Sequence, residues 1–371
     1  MKLIDIRMSE LLLLAEEKTL ICFGAGQQLH DACEGFAEEF FISKIDLIAD
    51  NNTDNRVFSY GNRKIFINSI SKCLELADKE PIILVTVSDC VEIIEQLNQI
   101  DKLKDCYCCI FSLMRDSIEP YKLPKNRNKD EKIKIPKILH YCWFGSKHIP
   151  EEFLKYIDTW KAYCPDYEII RWDESNYNYK KNNYMYEAYE NKMWGFVPDY
   201  ARLDIIYQYG GIYLDTDVEI IRNIDDLLCD EAFSAFSSRT IVNNCFFGAI
   251  PNFAFIKEQL DIYKNLSFIN DDGSLNLTTG PMHSTRFLSN EGLKLNNSLQ
   301  TIKGMKLYPT DVISYIDFWT GNLVITDNTY AIHHGAGTWL DTNLQLKRRN
   351  SSTLFNQLLE DISKGVPSDI L

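Results

Sequence analysis

The chain of 371 residues is long enough for two domains at roughly 150 residues each. Its 39 Lys and Arg against 53 Asp and Glu leave a formal charge of −14, which argues against a nucleic-acid binder, since such a protein needs a basic footprint. A hydrophobic fraction of 45% argues against long disorder, and a protein this acidic would meet an anionic substrate through a metal ion or a few placed cations.

Acids flank the four-leucine run of MKLIDIRMSELLLLAEEK, so the N-terminus does not read as a signal peptide, and no apolar stretch approaches the ~20 residues that span a bilayer. The eleven cysteines are odd in number and irregular in spacing, and Cys106, Cys108 and Cys109 crowd one apolar run at 106–111. Buried strand residues explain that cluster better than a zinc site, because no second pair follows at ligand spacing. A reduced, cytoplasmic compartment is the expectation.

In chain order, apolar runs at 19–23, 44–48 and 81–87 alternate with helical periodicity at 27–39 and 90–100. This predicts an α/β fold class for residues 1–118, a small Rossmann-like module with a parallel sheet. The first strand ends in Phe23-Gly24-Ala25-Gly26, and Asp50 ends the second. Gly24 and Gly26 could let backbone N–H groups approach a pyrophosphate, with Asp50 on a ribose hydroxyl; the same glycines also suit a tight turn with no nucleotide. Residues 119–134 carry two prolines and six Lys or Arg and read as a linker. Those cations leave peripheral membrane contact open, although a solvated linker is the plainer reading.

Beyond the linker, residues 135–371 form the second predicted domain. Strands are expected at 138–144 and 167–172 with a helix at 150–163 between them. A helical stretch bearing Tyr177, Tyr179, Tyr184, Tyr186 and Tyr189 either packs half-buried or stacks on a sugar. The block from Val197 to Glu219 carries the chemistry. Pro198 opens a helix, Gly210-Gly211 stops it, and an apolar strand at 212–214 ends in Asp215-Thr216-Asp217. Asp199 and Arg202 share a helix face, while Asp215 and Asp217 project from the carboxyl end of the strand as hard oxygen ligands for Mg²⁺ or Mn²⁺.

The run Ile135-Pro136-Lys137-Ile138-Leu139-His140-Tyr141-Cys142-Trp143-Phe144-Gly145, the Asp199-Tyr200-Ala201-Arg202-Leu203 helix and the Asp215-Thr216-Asp217 strand end together resemble one family. It is the glycosyltransferases with a DXD sugar-binding region, which include bacterial capsular-polysaccharide enzymes and yeast-type initiating mannosyltransferases, with clostridial toxin glucosyltransferases as distant relatives. The resemblance covers residues 135 to about 340. It implies a GT-A fold, Mn²⁺ or Mg²⁺, a nucleotide-sugar donor and retention of anomeric configuration. It also implies that Trp143 stacks on the donor base, that Asp199 and Arg202 hold the donor sugar and diphosphate side, and that Asp215 faces the ribose and Asp217 the metal.

Thr278-Thr279-Gly280-Pro281 resembles the family's Thr-Gly-Pro, where Gly280 either presents an N–H to the ligand or only starts a helix. Ile332-His333-His334-Gly335-Ala336-Gly337-Thr338-Trp339 resembles the family's closing motif, with Gly335 where relatives often have tryptophan. It suggests His333 or His334 at the metal and Thr338 and Trp339 at the donor; vicinal histidines on an extended chain point apart, so one of them at most is a direct ligand. Asn244 is a further candidate sugar contact.

The expected function is metal-dependent, retaining transfer of a hexose from a nucleotide diphosphate sugar, UDP-sugar first, to a glycan or lipid-linked glycan in capsule or surface polysaccharide synthesis. Two rivals stay open. A haloacid-dehalogenase-type phosphatase would use Asp215 as nucleophile and Asp217 as acid, although that motif normally opens its domain. A non-catalytic nucleotide-binding protein would use neither.

Overall fold

Thr19 to Phe23 are buried on both faces, as the central strand of a parallel sheet requires. Around them the first of two compact units, residues 1–117, is built; the second takes in 118–316 and 322–341. The computed structural model describes residues 1–337 except 5, 38–39, 54–55, 88–89, 112–113, 115–122, 124–131, 146–147, 239 and 317–322. Most of the predicted linker therefore lies outside the described residues.

The first unit runs β1 (Lys2–Leu3), α1 (Met8–Glu17), β2 (Thr19–Phe23), α2 (Gln27–Gly35), α3 (Phe41–Lys44), β3 (Leu47–Ala49), β4 (Val57–Tyr60), β5 (Arg63–Asn68), α4 (Ile70–Leu76), β6 (Pro81–Val85), α5 (Cys90–Asn98) and β7 (Tyr107–Ile110). The sheet order is β1-β7-β6-β2-β3-β5-β4, parallel except for β4, which pairs antiparallel with β5. The apolar run at 44–48 divides between a helical turn and β3, and both predicted helices end early, at Gly35 and Asn98. The unpredicted β4–β5 hairpin turns on Gly61-Asn62, with Tyr60 opposite Arg63. Cys108 and Cys109 are fully buried in β7, and all eleven cysteines are free thiols.

The second unit runs β8 (Ile138–Cys142), α6 (Glu151–Tyr163), β9 (Glu168–Trp172), α7 (Asn183–Glu190), α8 (Pro198–Tyr209), β10 (Gly211–Leu214), β11 (Val218–Ile220), β12 (Ala232–Ser238), β13 (Ile241–Val242), β14 (Phe246–Ala249), α9 (Ala254–Ile262), α10 (Gly280–Asn290), β15 (Gln300–Ile302), β16 (Met305–Tyr308), β17 (Ile313–Tyr315) and β18 (Ala331–His333). Its main sheet is ordered β15-β16-β12-β14-β10-β8-β9, with β13 paired to β12. Strands β9, β8 and β10 are parallel, and β14 lies antiparallel to β10. A three-stranded sheet, β11-β18-β17, stands beside it. Fully buried Trp160 of α6 donates its indole N–H to the Val218 carbonyl at 2.7 Å, tying helix to small sheet. Among the described residues, no helix is long and apolar enough to cross a membrane.

Candidate active site

Helix α8 buries residues on nearly every side, its charged Asp199, Arg202 and Asp204 included. Buried charges persist only when paired and hydrogen-bonded. Arg202 meets Asp199 at 3.2 Å and Asp215 at 3.6 Å, donates to the Asn244 carbonyl at 2.8 Å, and lies over the Tyr213 ring. The other Asp199 oxygen accepts the Gly280 N–H at 3.1 Å. A Cβ on Gly280 would stand 2.5 Å from the Asp199 carboxylate, so only glycine lets α10 start there. The Gly280 N–H is thus spent on Asp199 rather than on a ligand. Burial, with Asp215 adding to it, pushes the Asp199 carboxyl up to about 6, against the pull of Arg202 and the Gly280 N–H. The Asn244 side chain donates to Ser284 at 2.9 Å, so this residue meets the site through its carbonyl.

Gly210 and Gly211 do more than end α8. Their φ angles of +65° and +94° turn the chain into β10, and a Cβ on Gly211 would lie 2.7 Å from the Ile138 carbonyl of β8. His140 seals this junction. Its Nε2 lies 2.9 Å from the Gly210 carbonyl, while Nδ1 accepts the Trp172 indole N–H at 3.1 Å. That pattern is met by neutral imidazole protonated on Nε2, and burial lowers the His140 pKa to about 4. Nothing in the sequence reading picked out His140 except its place in the quoted run.

Asp215 and Asp217 leave the carboxyl end of β10, and β18 brings His333 opposite Val218. One ligand atom each from Asp215, Asp217 and His333 lie within 4.8 Å of one another. Tyr213 donates its hydroxyl to Asp215 at 3.0 Å. Asp217 faces His333 at 3.3 Å and accepts the Ala336 N–H at 2.8 Å. Burial alone would raise Asp217; the His333 charge and hydrogen bonds overcome it and hold the carboxyl at about 2. Burial works against charge on His333, yet Cys245 and Asp217 push its pKa well above the ordinary value. Two carboxylates and an imidazole make a donor set suited to a hard or borderline divalent ion, with the nitrogen favouring Mn²⁺ over Mg²⁺.

The two histidines part, as extended backbone requires. His334 turns from the cluster: its Nε2 sits 2.9 Å from Glu219 and its ring stacks on Tyr156 at 4.2 Å. Of the two histidines that the motif left open, His333 is the one that stands with the acids. Glu219, two residues beyond Asp217 on the neighbouring strand, was legible from the alternation but not picked out. Trp143 follows β8, half-buried, with its indole edge-on to Phe153 at 5.9 Å and its buried Nε1 without a hydrogen-bond partner among the described residues. Thr338 and Trp339 lie outside the described residues.

In the first unit, Gly24 and Gly26 follow β2 where the sheet order reverses, between β3 and β6. Gly26 caps α2. Asp50, however, turns back on its own surroundings, accepting the Ala25 N–H and the Asn52 N–H at 2.9 Å each. Its carboxylate braces the loop instead of standing open to a ribose.

A family model described as the glycosyltransferase sugar-binding region containing the DXD motif matches residues 150–234. An uncharacterized glycosyltransferase of Acanthamoeba polyphaga mimivirus is 30% identical over 195 residues, which cover 49% of this chain and 71% of that one. The chain belongs to the DXD glycosyltransferases. A Saccharomyces cerevisiae mannosyl phosphorylinositol ceramide synthase is 31% identical over 164 residues, and the match spans 42% of that relative's length. The solved PaToxG glycosyltransferase is 22% identical with a TM-score of 0.36, covering 43% of this chain and 69% of that one. In this DXD glycosyltransferase the Asp-x-Asp follows a parallel strand flanked by an antiparallel one, in line with the expected GT-A type of domain. The phosphatase reading gives way with the family, and on position too: β8 and β9 precede β10 in the same sheet.

Proposed function

We propose that this glycosyltransferase moves a hexose from a nucleotide diphosphate sugar, UDP-sugar first, to the hydroxyl of a glycan or glycolipid, with retention of anomeric configuration. The observation that carries the reading is the convergence of Asp215, Asp217 and His333 on one small volume. A divalent ion held there would neutralise charge on the departing diphosphate. The chain's own residues hold the frame: Arg202 and the Tyr213 hydroxyl fix Asp215, and the Ala336 N–H fixes Asp217. Arg202, itself paired to Asp199, supports Asp215; both residues of that pair are buried, so reaching a donor hydroxyl themselves would require the pair to open. Trp143, half-buried after β8, would meet the nucleoside with its ring, since its Nε1 is buried. The acceptor first read as a capsule precursor is better sought among glycolipids, since several relatives are named for mannosyl transfer to inositol phosphoceramide. Reaction on the cytoplasmic side, with peripheral contact to a membrane, is part of the same proposal.

The test is nucleotide release from UDP-glucose, UDP-galactose, UDP-N-acetylglucosamine and GDP-mannose with Mn²⁺, comparing the wild type with Asp217→Ala. Equal turnover by both proteins would sink the metal assignment.

A further inference from the structure

Four aromatic rings of the tyrosine-rich stretch form one continuous row. Tyr186 lies 6.5 Å from Tyr179 and nearly parallel to it, Tyr179 stacks face to face on Tyr189 at 3.9 Å, and Trp194 meets Tyr189 edge-on at 5.2 Å. The two ends of the row, Tyr186 and Trp194, are 37% and 36% exposed. Tyr184, on the inner face of α7, is by contrast fully buried.

The row is tied to the loop that follows β8 at two points. A Cβ on Gly145 would lie 2.3 Å from the Trp194 ring, so the indole rests directly on the backbone two residues beyond Trp143. Glu174 then joins the two: one of its oxygens accepts both the Gly145 N–H at 2.7 Å and the Tyr189 hydroxyl at 2.9 Å. Trp194 also stands five residues ahead of Asp199, where α8 begins. The platform and the loop that follows β8 are one braced piece.

We infer that Tyr186, Tyr179, Tyr189 and Trp194 form a binding platform for the saccharide part of the acceptor. This deepens the proposed glycosyl transfer and rests on that reading. Tyr179 and Tyr189 spend their facing sides on each other, so the exposed end rings, Tyr186 and Trp194, are the ones that would stack on the C–H face of a sugar, whose hydroxyls need polar partners at the edge. The exposed Glu174 and Lys180 supply those partners. Charged neighbours of this kind, with Glu190 among them, suit a saccharide and oppose burial in a lipid surface.

The experiment uses the full chain and a panel of methyl glycosides and linear tri- and tetrasaccharides of mannose, glucose, galactose and N-acetylglucosamine, titrated by saturation-transfer NMR. UDP and GDP with Mn²⁺ are titrated in parallel by calorimetry. A member of the panel should bind, and Trp194→Ala and Tyr186→Ala should each weaken it about tenfold, with Trp194→Phe restoring part of the loss. Nucleotide affinity and thermal unfolding should stay at wild-type values in Tyr186→Ala, whose ring lies at the far end of the row. No binding by the wild type, or equal binding by the variants, overturns the platform. A parallel loss of nucleotide affinity in Tyr186→Ala would reassign the row to the donor side or to the fold, and overturns it too. Binding to phosphatidylcholine vesicles that the variants abolish, with no saccharide bound, would make the row a membrane contact instead. Failure of the glycosyl-transfer reading would show separately, as absence of Mn²⁺-dependent nucleotide binding by the wild type.

Discussion

Two acid-bearing loops at strand ends carry the motifs of this chain, and they use their carboxylates in opposite ways. Asp50 of the first unit gives both oxygens to backbone N–H groups around it, so its charge is consumed in holding the turn after β2. In the second unit Asp215 and Asp217 are fixed by neighbours yet still converge with His333. Carboxylates beside one another repel unless a cation or an imidazolium lies between them, and natural folds retain such an arrangement at functional sites. A matching motif is therefore weaker guidance than the question of where each oxygen goes.

The sharpest way to break this contrast is Asp217→Ala, which should lower Mn²⁺-dependent nucleotide release about a thousandfold. The next effect is on stability. His140 is locked neutral, with its pKa lowered by burial to about 4 from 6.5. Below pH 6.5 the unfolded chain takes up a proton that the folded one refuses, so this contribution is complete above 6.5 and is lost as the pH falls toward 4. The stability difference between wild type and His140→Asn in urea unfolding should narrow by about 3 kcal/mol over that range; a constant difference would refute the locked tautomer. Arg202→Lys keeps charge but loses the fork that spans Asp199, Asp215 and the Asn244 carbonyl, and turnover should fall about a hundredfold. Wild-type turnover should also drop below about pH 6, where Asp199 gains a proton and Arg202 loses a partner. His334→Ala loses only the Glu219 pairing and the Tyr156 stack beside the cluster and should cost about tenfold in Mn²⁺ affinity, far less than His333→Ala in the same titration. Smallest of all, Asp50→Ala should reduce stability by about 1 kcal/mol and leave nucleotide release unchanged; a loss of turnover there would mean that the two loops are more alike than their hydrogen bonds indicate.

The parts legible in the sequence were those set by spacing along one element. Asp199 and Arg202, three apart on a helix, meet as that geometry demands; Asp215 and Asp217 also converge, but through the turn that follows β10 rather than by strand alternation. Vicinal histidines pointing apart did follow from that alternation. What spacing could not reveal is who arrives from elsewhere in the chain. Gly280 closing on Asp199, Glu219 taking His334, and Trp172 with Gly210 fixing the His140 tautomer all depend on tertiary register. The β4–β5 hairpin is different: the Gly61-Asn62 signal was present, but the alternation on either side was short and half exposed.

The partner of Asp217 arrives late. Ala336, which holds the carboxylate, stands 119 residues further along the chain, and His333 comes on the last strand of the small sheet. During synthesis the large sheet can therefore assemble around β8, β10 and β14 while the cation site is still missing one wall. A nascent chain that stalls before β18 would have most of this core and still lack both His333 and the Ala336 N–H that holds Asp217.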